Sequence, residues 1–457
     1  MSNNRFHKIS FTIPFASLFL ASIAVIESNT TALAVTFNFS YSPGTSLEQM
    51  VGMEMAGGIW SSHLSDNVSV NIYTKTDDNL PTNAIGGALP GISTELSYDT
   101  FRSRVYQDRT SIDDRSAYSN LQNDDDGYSV RLDGRTQDEN EQINLTRANA
   151  KALGMLNDSG LDGVILVSNL KDKSVGWSYN YQDSSVPNDQ LDYLSTGMHE
   201  IGHVLGFVSG VDGADLLTSN PGDDDDDDGG DDGDDDEGGD LYVTPLDMFR
   251  YSSSSTGIID LSIGGDPYFS LDRGKTRIAN FATGKNLTLG GDGYQASHWK
   301  QQDNPLGVMD PTLRLGQRRS ISLLDRQTLD AIGWNLQESA IDLATLELEA
   351  KQRLAARLGV TVAWLEANPT EAAMRLSQDR TEDVITMIEK SEVYEWGWSS
   401  GGQGWWRDET LWQHFLANSL ASDAPSAGVP EPSIVGGVLL GMGGLRLILR
   451  FKRRGKK

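Results

Sequence analysis

The segment His199-Glu200-Ile201-Gly202-His203 constrains this chain more tightly than any other, because its two imidazoles stand four residues apart. On a helix, positions i and i+4 share a face, so both rings can reach one metal ion with the Glu200 carboxylate beside them. A catalytic zinc takes neutral nitrogen donors at about 2.0–2.1 Å, keeps three protein ligands and leaves one position for water. It lowers the pKa of that water toward about 7, where a nearby carboxylate can take the proton. The spacing therefore points to His199 and His203 as metal ligands and Glu200 as general base. A chance helical patch would carry the same five residues. Against it, Leu191, Tyr193 and Leu194 supply a buried side, and Asn188 or Asp192 supplies an N-terminal cap. Gly206 suits a left-handed helix stop, and two of only six histidines in the chain fall here.

The third ligand is open at this point. In metzincins, zinc proteases with His-Glu-x-x-His-x-x-Gly-x-x-His, a histidine follows the glycine by three residues. Here that position is Ser209, a poor zinc ligand. Asp212 is the local candidate. The remote candidate is His298, in Ala296-Ser297-His298-Trp299-Lys300, which precedes Gly307-Val308-Met309-Asp310-Pro311. The latter run looks like a metzincin Met-turn, and from about Phe37 to Asn335 the chain resembles the leishmanolysin family. In that family a long insertion separates the helix glycine from a third histidine in a Ser-His-Trp context. The resemblance implies His199, His203 and His298 as zinc ligands, Glu200 as base and Met309 as the apolar floor beneath the metal. That family is rich in disulfides, whereas this chain has no cysteine, so the likeness concerns the core and the site.

Both ends carry addressing signals. Arg5 and Lys8, an apolar run from Phe11 to Ile26 and Ala32-Leu33-Ala34 match a secretory signal, expected to span residues 1–34. Val429-Pro430-Glu431-Pro432, an apolar stretch at 434–449 and a basic end resemble the PEP-CTERM tail of exopolysaccharide-producing bacteria, expected at 423–457. Such a tail implies an exosortase-type sorting enzyme as partner and transient membrane anchoring. The apolar stretch is short of the usual ~20 residues and contains Arg446, which must snorkel toward the cytoplasmic basic side.

A net charge of −28 suits an acidic exoprotein and speaks against nucleic acid as a partner. The tract Gly222–Asp240 holds thirteen acidic residues, so the rest of the chain still carries −15. The tract is self-repelling and glycine-rich, and is expected to be a disordered insertion within a catalytic domain spanning 35–336. Weak Ca2+ binding there is a secondary expectation, since EF-hand spacing is missing. Asn123-Asp124-Asp125-Asp126-Gly127 reads as a turn. Lack of cysteine excludes a disulfide framework and a cysteine protease.

The elements expected between these landmarks give an α/β (α+β) fold with a twisted mixed sheet, an active-site helix and the Met-turn. Thr45 and Glu48 form a capping box for a helix through Leu47, Val51, Met55, Ile59 and Trp60. Val68–Tyr73 reads as a strand, Gly86–Ile92 as an edge strand suited to extended peptide, Thr146–Leu156 as a helix and Gly163–Val167 as a buried strand. Leu323–Trp334 closes the domain. Residues 337–422 read as mostly helical, with Leu343, Leu346, Leu348, Leu354 and Leu358 as a buried stripe, a break at Asn368-Pro369-Thr370, and Ile385, Met387 and Ile388 resuming it. A Trp- and Gly-rich piece, Trp396 to Trp406, follows. The reading that results is a secreted zinc metalloendopeptidase acting on protein or peptide. The rival is a catalytically silent matrix or surface protein with a structural metal.

Overall fold

The computed structural model describes residues 34–380 except 78–83, 124–126, 172–173, 184, 214–241 and 256, together with 383 and 421–422. The expected export signal, the acidic insertion 222–240, Asp124–Asp126, the segments from Ile385 to Ile388 and from Trp396 to Trp406, and the tail with its apolar stretch lie outside the described residues. Among the described residues no helix is long and apolar enough to cross a membrane.

In chain order, β1 (Thr36–Tyr41) leads to α1 (Leu47–Ser61), β2 (Ser69–Asp77), β3 (Gly86–Pro90) and β4 (Ile92–Ser97). Then come α2 (Tyr98–Asp108), α3 (Ile112–Asn120), β5 (Tyr128–Leu132), β6 (Arg135–Asn140), β7 (Gln142–Thr146), α4 (Arg147–Ala152) and β8 (Gly163–Ser168). The principal sheet has the order β1-β2-β8-β3, with the first three strands parallel and β3 antiparallel at the edge. Every residue of β8 is buried, as the apolar run Val164-Ile165-Leu166-Val167 requires of an inner strand covered on both faces. The architecture is a mixed α/β fold with several small sheets.

The sheet is covered by α1 and, further along, by α5 (Tyr193–Val204), which follows the short paired strands β9 (Gly176–Ser178) and β10 (Gln190–Asp192). Small residues let these layers close. A Cβ on Gly197 would lie 3.2 Å from the Ala56 side chain, and one on Gly163 would lie 2.7 Å from Val204. Trp60 of α1 donates its indole N–H to the Met198 carbonyl at 2.8 Å, tying the first helix to the one carrying the histidines.

Several expected boundaries move, for local reasons. The capping box of α1 is Ser46/Gln49, one residue beyond Thr45/Glu48. Thr45 is drawn into a turn by its N–H to the Ser42 carbonyl, which leaves Ser46 extended and able to accept from Gln49 N. The expected edge strand stops at Pro90, and Ile92 instead opens β4, paired with β7. Helix α4 stops at Ala152, because Gly154 takes φ +63° and turns the chain before Leu156.

After α5 the short strands β11 (Arg250–Tyr251), β12 (Ile259–Asp260), β13 (Tyr268–Phe269), β14 (Ala279–Asn280) and β15 (Thr312–Leu313) return the chain toward α6 (Leu323–Ala331). Gly333 at φ +102° ends the turn after α6, and Trp334 donates to the Leu205 carbonyl at the end of α5. Beyond lie α7 (Leu343–Leu358), α8 (Val362–Ala367) and α9 (Pro369–Leu376), with Pro369 at the first position of α9. Leu354 is buried together with Ala350, while Leu343, Leu346 and Leu358 are partly buried against the core. Leu348 is 49% exposed, because two residues from Ala350 is about 200° around the helix. Arg353 of α7 donates to the buried Glu54 carboxylate and to its carbonyl, fastening this helix to α1.

Four acidic residues gather where α2, α3 and α6 meet. Asn335 Nδ2 donates to Asp66 and Asp108, Asp114 accepts from the N–H groups of Thr110 and Ser111, and Ser111 donates to Asp330. Burial, reinforced by the charge of Asp114, pushes the Asp330 carboxyl up to about 8. A carboxyl raised in the folded state contributes stability that is complete below its unfolded pKa of about 4 and is lost as pH rises through the folded value. Asp330→Asn keeps an acceptor for Ser111 and removes the charge. It is expected to raise the melting temperature at pH 8 by about 2–4 °C and to flatten the pH profile between 5 and 8. A pH series of thermal melts checks this, and a lower melting temperature at pH 8 would refute it.

Candidate metal centre

The site rests first on α5. Its N-cap is Asp192, whose side chain accepts from Ser195 N at 3.0 Å and from Ser195 Oγ at 2.6 Å. Arg318 grips the same carboxylate through Nη2 at 2.8 Å and Nε at 3.1 Å, a two-pronged contact that fixes the start of the helix. At the other end Gly206 takes φ +121°, a conformation that favours glycine. His199 and His203 lie one turn apart between these stops, both fully buried.

His298 arrives from the far side of the chain. The three Nε2 atoms converge: His203 to His199 is 3.1 Å, His298 to His199 is 3.2 Å, and all lie within 4.8 Å of one another. A tetrahedral ion with ligands at about 2.0–2.1 Å places its nitrogens about 3.3–3.4 Å apart, close to these separations. The other ring nitrogen of each histidine faces a backbone carbonyl: His199 Nδ1 to Val308 at 2.7 Å, His203 Nδ1 to Phe207 at 2.7 Å, and His298 Nδ1 to Gln295 at 3.1 Å.

Those three contacts decide the tautomers. A carbonyl only accepts, so each Nδ1 carries the proton, and a neutral ring then has a bare Nε2. Burial first, then the neighbouring imidazoles, holds His199 and His298 well below the ordinary histidine pKa, and burial brings His203 to about 4. Three neutral imidazoles thus aim their lone pairs at one point inside the protein. With no proton between them they repel, and a cation relieves the repulsion. The donor set fits zinc.

Asp212 does not join this group; it builds the arm that carries His298. Its carboxylate accepts from Ala296 N at 2.6 Å, from Ser297 N at 3.1 Å and from Ser297 Oγ. The Ser297 hydroxyl also meets Ser209 N, so the serine at the expected third-ligand position of a compact motif instead braces the remote arm. Asp247, which the sequence reading passed over, accepts from Ser209 Oγ, Gly210 N, Thr244 N and Thr244 Oγ1, joining the chain on either side of 214–241. Gly210 is needed there because a Cβ would lie 1.7 Å from the Tyr242 carbonyl oxygen.

Met309 is fully buried against α5, and a Cβ on Gly202 would lie 2.3 Å from its sulfur. Its turn is held by Asp325 of α6, which accepts from Val308 N, Met309 N and the Trp299 indole. Asp325 was also missed, although Ser322-x-x-Asp325 forms a capping box legible in sequence.

Glu200 is fully buried, and its carboxylate lies beside the edge strand β3. A Cβ on Gly86 would come 2.5 Å from Glu200 Oε1 and 2.8 Å from Thr196 Cγ2. Gly86→Ala is therefore expected to push the carboxylate aside while leaving the three histidines in place. Zinc titration should match wild type, and any Glu200-dependent turnover should fall at least about tenfold. Equal loss of zinc and turnover would show that the methyl disturbs the whole site instead.

Comparison with protein-family models, with curated proteins and with solved structures returns no match. The chain's own geometry thus carries the functional argument, and it establishes a buried three-histidine group able to hold a metal ion such as zinc.

Proposed function

We propose that this chain is an exported zinc-dependent endopeptidase built on the metzincin plan, with His199, His203 and His298 holding the ion and Glu200 acting as general base. The observation that carries this reading is the convergence of three bare Nε2 atoms, two of them from α5, which also carries the buried Glu200. Zinc held there supplies a Lewis acid that acidifies water and polarises a carbonyl. The Glu200 carboxylate takes the proton from the attacking water and returns it to the departing amide nitrogen. The Nδ1 hydrogen bonds keep each ring in one tautomer and orientation while charge develops. All five residues of strand β3 are buried, so binding of an extended peptide along it would require that edge to be uncovered first.

One specific observation weighs against the structural-metal rival. Structural zinc sites are closed by four protein ligands. Among the described residues the group comprises three histidines with no fourth acidic or cysteine member. Export by the N-terminal signal, sorting by an exosortase-type enzyme and transient anchoring by the C-terminal tail belong to the same proposal and rest on the sequence signals alone.

The test is hydrolysis of casein or a quenched peptide by the purified chain. The account expects activity that chelation abolishes and zinc restores. Cleavage insensitive to chelation would contradict it, and a zinc-loaded chain that cleaves no protein or peptide would favour the structural reading.

A further inference from the structure

Arg250 is a large charged side chain only 1% exposed, and it stands behind the arm that delivers the third histidine. Its Nη2 donates to the Ala282 carbonyl at 3.1 Å, and the N–H of that same residue donates to the His298 carbonyl at 3.0 Å. The adjacent residues repeat the connection. Phe281 bridges Trp299 in antiparallel fashion, the two rings stack at 5.0 Å and 11°, and the Arg250 guanidinium lies 5.4 Å from the Phe281 ring centre. The negative charges of Asp247, Asp260, Asp212 and Asp292 favour its cation through space. Two of these, Asp212 and Asp247, are the ones that hold Ala296-Ser297 and Ser209-Gly210.

Arg250 Nε and Nη1 meet no acceptor among the described residues. Burying a guanidinium with so few direct bonds is costly, and a hydrophobic side chain of the same size would suit a purely structural position better. What the position gains from a permanent cation is a charge that these four acids favour and a donor to Ala282, whose N–H meets the His298 carbonyl.

We propose that Arg250 is a positioning residue for the third metal ligand: it holds the Phe281-Ala282 segment, and through it His298, in place against α5. This inference rests on the metal-centre reading. It predicts that charge and donor at position 250 govern how tightly the ion is held, without Arg250 touching the ion.

The experiment measures zinc affinity by chelator competition, and the absorption spectrum of the cobalt-substituted protein, in the full chain well below its melting temperature. Arg250→Gln, Arg250→Lys and, as a control in a buried ion pair that makes no bond to the His298 arm, Lys151→Met are compared with wild type. Arg250→Gln is expected to weaken zinc by about 10–100-fold and to alter the cobalt spectrum, in the range that loss of a ligand-orienting group produces. Arg250→Lys, which keeps the charge and one donor, is expected to recover most of the affinity. Lys151→Met is expected to lower the melting temperature with zinc affinity unchanged. Wild-type affinity in Arg250→Gln, an equal loss in Lys151→Met, or a Gln variant that does not fold would each overturn the assignment. A wild-type chain that takes up no metal would overturn the metal-centre reading itself, a result distinct from the other three.

Discussion

Glu200→Gln is expected to bind zinc like the wild type and to lose peptide hydrolysis by at least about 10²–10⁴-fold, the span that positioned proton transfer contributes. The substitution is nearly isosteric, so the crowded contact with Gly86 is preserved. The three Nε2 atoms and their Nδ1–carbonyl bonds involve no atom of the Glu200 side chain. What disappears, on the proposed mechanism, is the capacity to hold a proton between the attack on the carbonyl and departure of the amine. Zinc titration and turnover of one quenched peptide, measured on the same preparation, separate the two effects. Retained turnover at full zinc occupancy would remove Glu200 from the mechanism.

His298→Ala is expected to lower zinc affinity by more than about 100-fold, beyond the range for losing a mere orienting group. Two imidazoles on one helical face remain, and the point where the lone pairs meet loses a donor. Asp212→Ala tests the arm instead of the ligand. It removes the acceptor for Ala296 N, Ser297 N and Ser297 Oγ, and a loss of about 10–100-fold is expected with some zinc still bound. The order of the two effects is the informative result. A chain that keeps zinc after His298→Ala and loses it after Asp212→Ala would make the carboxylate the ligand.

The helix with its two histidines and its Gly206 stop could be read from sequence because each rests on local spacing, and of the two caps the sequence offers, Asn188 and Asp192, the fold uses Asp192. The convergence of His298 depends on contacts across 99 residues and became visible only as a resemblance. Of the supporting partners, only Asp325 carried a local signal, its capping box with Ser322. The Val308, Phe207 and Gln295 carbonyls that set the tautomers are backbone atoms, which every residue has. Asp212 lies close after the motif and Asp247 far beyond it, past the acidic insertion, and only the fold makes the first a clamp on Ala296-Ser297 and the second a clamp on Ser209-Gly210.

Elsewhere the errors came from near-degenerate local choices. Thr45 and Ser46 are both good caps, and a turn through Ser42 selected the second. Leu348 matched a leucine count and missed the helix angle, leaving it exposed. Gly86 carried no signal beyond its neighbour Gly87, yet it is the residue that makes room for the glutamate.

The most direct test of the central claim is zinc K-edge X-ray absorption on the purified chain, combined with its metal content. The account predicts one zinc per chain, with three imidazole nitrogens at about 2.0–2.1 Å and one lighter non-protein oxygen ligand. A chain that retains no stoichiometric metal, or an ion bound without three imidazoles, would contradict it.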